Sequence, residues 1–148
     1  MEAYRAAAIQ MTSTADWADN LRRAEVHIER AVRQGADLVA LPENFAFMGE
    51  DADKLAQAPQ IAHHSERFLQ RVAQRFRIRL LGGGFPVPIA GENRASNTAV
   101  LVDRDGSERA RYCKIHLFDA DLPDGRTYRE SRTIAPGSAP PPVWASPD

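Results

Sequence analysis

Leu38, Val39, Ala40 and Leu41 form an unbroken apolar run that ends at Pro42. A strand with one wet face alternates apolar and polar residues, whereas an unbroken short run is the pattern of a strand covered on both faces. Proline has no N–H to give a ladder, so the strand stops there. Glu43 therefore stands just past the end of a buried strand, where α/β sheets tend to place functional groups.

The flanks of this run follow the same logic. Tyr4 to Met11 (YRAAAIQM) is a first short apolar strand, interrupted by Thr12, Ser13 and Thr14. Ser13 or Thr14 then caps a helix reaching about Gln34, in which Trp17, Leu21, Ala24, Ile28 and Ala31 recur at spacings of four and three. Gly35 stands where a left-handed C-terminal cap belongs. A second helix is predicted from about Gln60 to Arg77, with Ile61, Phe68, Val72 and Phe76 inward and Arg67, Arg71, Gln74 and Arg75 outward. A third strand runs through IRLLGGGFPVP. ASNTAVLVDRDGSERARYCKIHL reads as two strands joined at Asp105-Gly106, a tight-hairpin signal. From Phe118 onward the chain is expected to be irregular, and the prolines of SAPPPVWASPD exclude a helix there. Strands alternating with helices predict an α/β layered fold, and neither an internal repeat nor a second domain is found.

Charge narrows the partners. Nineteen basic and twenty acidic side chains leave a formal net charge of −1, with no polybasic patch to attract nucleic acid or an anionic membrane. No apolar run reaches about 18 residues, the amino-terminal residues lack a signal-peptide pattern, and a single cysteine cannot close an internal disulfide. The reading is a cytoplasmic protein whose partner is a small molecule.

Three charged residues are candidates for chemistry, each with a plain alternative. Glu43 is either functional or a solvated loop carboxylate. Glu130, in TYRESRT, is either part of a site or a surface glutamate paired with Arg129 or Arg132. Lys114 adjoins the only cysteine, Cys113, yet side chains alternate along a strand. Ala110, Tyr112, Lys114 and His116 share one face, while Arg111, Cys113, Ile115 and Leu117 share the other. Neither Lys114 nor His116 can therefore activate the thiol, and Cys113 reads as a packing residue beside Ile115 and Leu117. A metal reading of His27, His63, His64 and Glu66 fails because adjacent helical histidines diverge and no zinc spacing is present. GGGF is not followed by a helix and does not match a dinucleotide loop, so its glycines fit a bend or a close approach of neighbouring backbone. No Gly-x-Ser-x-Gly elbow is present, and no cofactor is expected.

Five blocks in order, LPENF, GGGFPV, NTAVLVDRDG, YCKIHLFDADLPDG and YRESRTIAPG, resemble the nitrilase superfamily of carbon–nitrogen hydrolases. KIHLFD and ES-x-T-x-x-PG are most similar to its Nit-type amidases, the group that includes omega-amidase and deaminated glutathione amidase. The resemblance spans the chain from its first strand to Gly137. It implies a four-layer α-β-β-α sandwich, homo-oligomeric assembly, and a small amide substrate such as a dicarboxylic acid monoamide. It further implies that Glu43 is a general base, that Lys114 stabilises an oxyanion, and that Glu130 is a supporting carboxylate that orients the lysine and the substrate.

One element of the pattern is missing. The family's nucleophilic cysteine lies on the order of 40 residues beyond the lysine, in a segment similar to G-x-x-I-C-Y-D at a strand end. The present sequence stops at Asp148, before such a segment. The expectation is that residues 1–148 are a partial hydrolase domain, catalytically incomplete by itself, poorly soluble or associating with copies or with a missing carboxy-terminal half. Two other readings are a non-catalytic binding or regulatory module built on half of the fold, and a small thiol enzyme that uses Cys113 with a distant histidine.

Overall fold

Asp16, rather than Ser13 or Thr14, begins the first helix: its carboxylate accepts the backbone N–H of Asp19 at 2.9 Å. Thr14 is held elsewhere, because the side chain of fully buried Asn20 bonds both its N–H and its carbonyl. The structure, a computed structural model, describes residues 4–145. Its strands are β1 (Ala6–Ala8), β2 (Leu38–Ala40), β3 (Arg79–Pro88), β4 (Ala95–Val102), β5 (Glu108–Cys113), β6 (Asp119–Asp121) and β7 (Thr127–Arg129); its helices are α1 (Trp17–Arg33) and α2 (Asp51–Phe76). The first strand is thus shorter than the apolar run from Tyr4 to Met11. Gly35, at φ +81°, closes α1 as expected, with its own N–H on Val32 and that of Ala36 on Ala31.

Strands β1 to β5 lie in sequence order in one sheet. β1, β2 and β3 are parallel, which requires α1 and α2 as crossovers, while β4 and then β5 are added antiparallel beyond β3. Both helices pack on one face of the sheet, where Ile28, Val39, Ile61, Leu69, Val72, Leu80, Phe85, Val100 and Val102 make one core. The described chain therefore forms one helical layer and one sheet layer. On the other face Leu38, Leu81, Leu101 and Tyr112 stay partly exposed.

α2 starts nine residues before the predicted Gln60. Pro59 reads as a stop because it lacks an N–H and crowds the preceding turn, but Leu55 and Ala58 pack with Ala95, Leu117 and Ile134 in a second apolar cluster that holds the early turns. Arg67, Arg71, Gln74 and Arg75 are exposed as predicted, and Arg71 and Arg75 both grip Glu25 of α1, at 2.7 and 2.6 Å.

The β4–β5 hairpin turns through residues 103–107, with Gly106 at φ +81° receiving the chain after Asp105. Beyond Phe118 the chain is not irregular. β6 and β7 form a second, antiparallel hairpin, closed by Leu122-Pro123-Asp124-Gly125-Arg126, where Gly125 has φ +84°. A Pro-Asp-Gly turn between residues that can pair is the reason. The prolines after Ser138 carry no helix among the described residues, and residues 146–148 lie outside them.

Candidate active site

Pro42 ends β2 and starts a turn in which the N–H of Phe45 returns to its carbonyl at 3.2 Å. Asn44 takes a left-handed φ of +59° so that its N–H reaches the carbonyl of Gly84 at 2.7 Å. The turn presses on β3 at its glycines. A Cβ on Gly83 would overlap the carbonyl groups of Leu41 and Pro42, so no other residue fits there without moving the backbone. The extra residue that β3 carries between Gly82 and Phe85 relative to β4 is a bulge at this contact. Phe45, Ala46 and Phe47 behind the turn are fully buried, and Asn20 donates to the carbonyl of Ala46 at 2.9 Å. Glu43 thus projects from a rigid loop, with its side chain 49% exposed.

Lys114 follows β5 by one residue and continues its pairing, its N–H donating to the carbonyl of Asn97 at 2.9 Å. Directly opposed residues of an antiparallel pair share a face. Lys114 and Asn97 therefore project together, and Cys113 projects with Thr98 to the other side. That other side is the helical one, because Arg111, of the same parity as Cys113, pairs with Glu66 of α2 at 2.8 Å. The Cys113 thiol meets the Thr98 hydroxyl at 3.5 Å, and its backbone lies against Gly137. Its neighbours correct the expectation of packing with Leu117, which belongs to the cluster beneath α2.

Glu130 is positioned by the second hairpin. It starts a short 3₁₀ turn after β7, next to Ser131, whose N–H and hydroxyl bond Asp119 at 3.0 and 2.6 Å. Beyond it, backbone bonds link Ala95 with Thr133 and Ala135. Arg129 pairs with Asp121 across the hairpin, not with Glu130. Glu130 instead turns inward: its Oε2 accepts from Lys114 Nζ at 2.9 Å and from the Phe118 N–H at 2.6 Å, and its Oε1 lies 3.2 Å from the same Nζ.

The three predicted residues converge. Lys114 Nζ also donates to Glu43 Oε1 at 3.0 Å, so one ammonium spans two carboxylates from distant parts of the chain. Asn97 joins them, its Nδ2 lying 2.6 Å from Glu43 Oε1 and 3.4 Å from Glu130 Oε1. Reading the sequence for charge passes over Asn97. The available signal was an amide in the polar start, Ser96-Asn97-Thr98, of a strand that is apolar from Ala99 to Val102.

Burial opposes charge on both partners of the inner pair, and the hydrogen bonds win. Burial alone would lower the Lys114 pKa, but the bonds to Glu130 and Glu43 hold it above the ordinary lysine value. Burial would raise that of Glu130, but the Phe118 N–H, Lys114 and Asn97 hold it below the ordinary glutamate value. The group stands in the wall of an open cavity of about 350 Å³ that Lys54, Phe118, Tyr128 and Arg129 also line. Among the described residues no cluster of His, Cys, Asp and Glu could hold a metal, and no helix is long and apolar enough to cross a membrane.

Residues 5–148 match the carbon–nitrogen hydrolase family. The chain is 55% identical over 147 residues to a deaminated glutathione amidase of Synechocystis, covering 99% of this chain and 54% of that protein. It is 37% identical over 145 residues to the omega-amidase of Homo sapiens, covering 94% and 50%. An amidase from Nesterenkonia has the same fold over 97% of this chain and 51% of its own, with a TM-score of 0.81 and 30% identity. A form of that amidase in which a cysteine is changed to alanine holds butyramide, and another has acrylamide added to its active-site cysteine. The chain spans about half the length of the curated relatives it matches.

Proposed function

The chain belongs to the carbon–nitrogen hydrolase family, close to its Nit-type amidases, and from that premise we propose that residues 1–148 build the amino-terminal part of an amidase active site. In this reading Glu43 is the general base, Lys114 the cation that stabilises the tetrahedral oxyanion, and Glu130 the carboxylate that fixes Lys114. A thiol gives its proton to Glu43 and adds through sulfur to the amide carbonyl. The proton passes to the leaving nitrogen, ammonia departs, and water, deprotonated by Glu43, hydrolyses the thioester.

The observation that carries this division of labour is the unequal occupation of the two carboxylates. Both oxygens of Glu130 already receive donors, whereas Glu43 binds through Oε1 alone and is the more exposed. Only Glu43 has an oxygen left to accept a proton. Cys113 faces the helical layer, which supports a reading in which the thiol comes from a segment other than these 148 residues and the chain alone does not turn over. The names of the relatives and the cations Lys54 and Arg129 in the cavity wall support a carboxylate-bearing amide, such as a dicarboxylic acid monoamide, as substrate. Self-association and a cytoplasmic home complete the reading, to be checked by sedimentation and by cell fractionation.

The test is complementation. The chain is combined with the carboxy-terminal half of the Synechocystis relative, and ammonia release from such amides is measured. Activity is expected only from the mixture, and Glu43→Gln or Lys114→Ala is expected to lower it by about a thousandfold or more. Activity of the mixture that is indifferent to both changes would refute the assignment.

A further inference from the structure

Asn97 is 6% exposed and sits within β4, opposite Lys114, yet it is not one of the three charged residues assigned above. Its amide cannot turn over freely. A Cβ on Gly84 would overlap Asn97 Oδ1, so the glycine leaves room for that end of the amide, while the acceptor-only carboxylates of Glu43 and Glu130 select the NH₂ group for the other end. From there Nδ2 donates to Glu43 Oε1 at 2.6 Å.

Consider what Lys114 could do without this amide. An ammonium carries three donors on a flexible stem and can serve either oxygen of a carboxylate. Half-exposed Glu43, held by Lys114 alone, would exchange its two oxygens and swing. A planar amide fixed by buried backbone on one side and by a glycine on the other removes that freedom. Glu43 Oε1 then holds two donors, while Oε2 has none among the described residues.

We infer that Asn97 is a positioning residue: it ties down Oε1 of Glu43 and so dedicates Oε2 to proton transfer in the cavity. The inference rests on the reading of Glu43 as the proton acceptor. It also gives Gly84 a function, as the space that admits the amide.

The test uses the 148-residue chain and NMR titrations. In the unmodified chain the side-chain amide protons of Asn97 are expected to move with the same midpoint as the Glu43 carboxyl carbon, and to lose that movement in Glu43→Gln; this arm changes nothing at Asn97. In Asn97→Leu, which matches the volume and removes the donor, the Lys114 midpoint is expected to fall, by less than in Glu43→Gln, because Glu43 keeps its charge but swings between its two oxygens instead of holding Oε1 on Lys114. Asn97 protons that ignore the Glu43 titration would overturn the inference. So would a Lys114 midpoint that falls in Glu43→Gln but not in Asn97→Leu. A Lys114 midpoint unmoved in Glu43→Gln itself would mean that the Glu43–Lys114 pair is absent, which sinks the proposed active site together with this inference.

Discussion

At the residue scale the inner pair Lys114–Glu130 is the most consequential contact, since its carboxylate is only 15% exposed. Glu130→Gln keeps the shape and removes the charge. We expect a loss of roughly 1–2 kcal/mol in urea unfolding near neutral pH, the range for a hydrogen bond to a charged group reduced for partial exposure. The pH dependence follows from the directions of the shifts. Glu130 is held below its ordinary value of 4.5, so its contribution is present above about pH 4.5 and disappears as pH falls through the lowered pKa. Lys114 is held above 10.5, so its contribution is present below that value and is lost only as pH rises through the raised pKa. The stability gap between the native chain and Glu130→Gln should therefore be flat from about pH 6 to 9 and shrink in acid; a gap that widens below pH 4.5 would contradict the assigned shift. The separation of Cys113 from Lys114 was legible in the sequence because strand alternation alone decides it. The partner of Glu130 came from the family resemblance alone, because nothing local tells a glutamate to turn away from flanking arginines toward a lysine 16 residues earlier.

At the scale of elements, the glycine run of β3 carries the site. The Cβ of Gly82→Ala would meet the methyl ends of Leu69, which can rotate away, whereas that of Gly83→Ala would meet the backbone of the Glu43 turn. Gly83→Ala is accordingly expected to cost about 2 kcal/mol or more and to exceed Gly82→Ala; equal effects in parallel urea melts would show that the turn does not press on β3. Pro59 offers the opposite change. It lies exposed inside α2 without an N–H to give, so Pro59→Ala should raise stability by about 2 kcal/mol, the helix preference less the entropy returned to the unfolded chain. A loss of stability in the same thermal or urea melt would show that the ring is packed. The same proline explains why α2 was read short: local propensity marks a break, and the apolar contacts of Leu55 and Ala58 with residues near 95, 117 and 134 override it. The β6–β7 hairpin escaped notice because its strands are three residues each and polar, although Pro123-Asp124-Gly125 signals the turn.

For the whole molecule, two features point the same way. The sheet face away from the helices leaves Leu38, Leu81, Leu101 and Tyr112 partly exposed, and β1 and β5 are edge strands of the described sheet. The 148-residue chain should associate as its concentration rises, seen as a shift in sedimentation; a monomer over the whole range would contradict this. The layered α/β class and the β4–β5 hairpin were readable from the order of apolar runs and from Asp105-Gly106, whereas the pairing of β4 with β3 needed the structure. The central claim is that the chain assembles two carboxylates, an ammonium and an amide for a thiol that Cys113 cannot supply. Ammonia release from a dicarboxylic acid monoamide by the purified chain, compared with its Cys113→Ala variant, tests it most directly. No turnover by either is predicted; turnover that Cys113→Ala abolishes would contradict it.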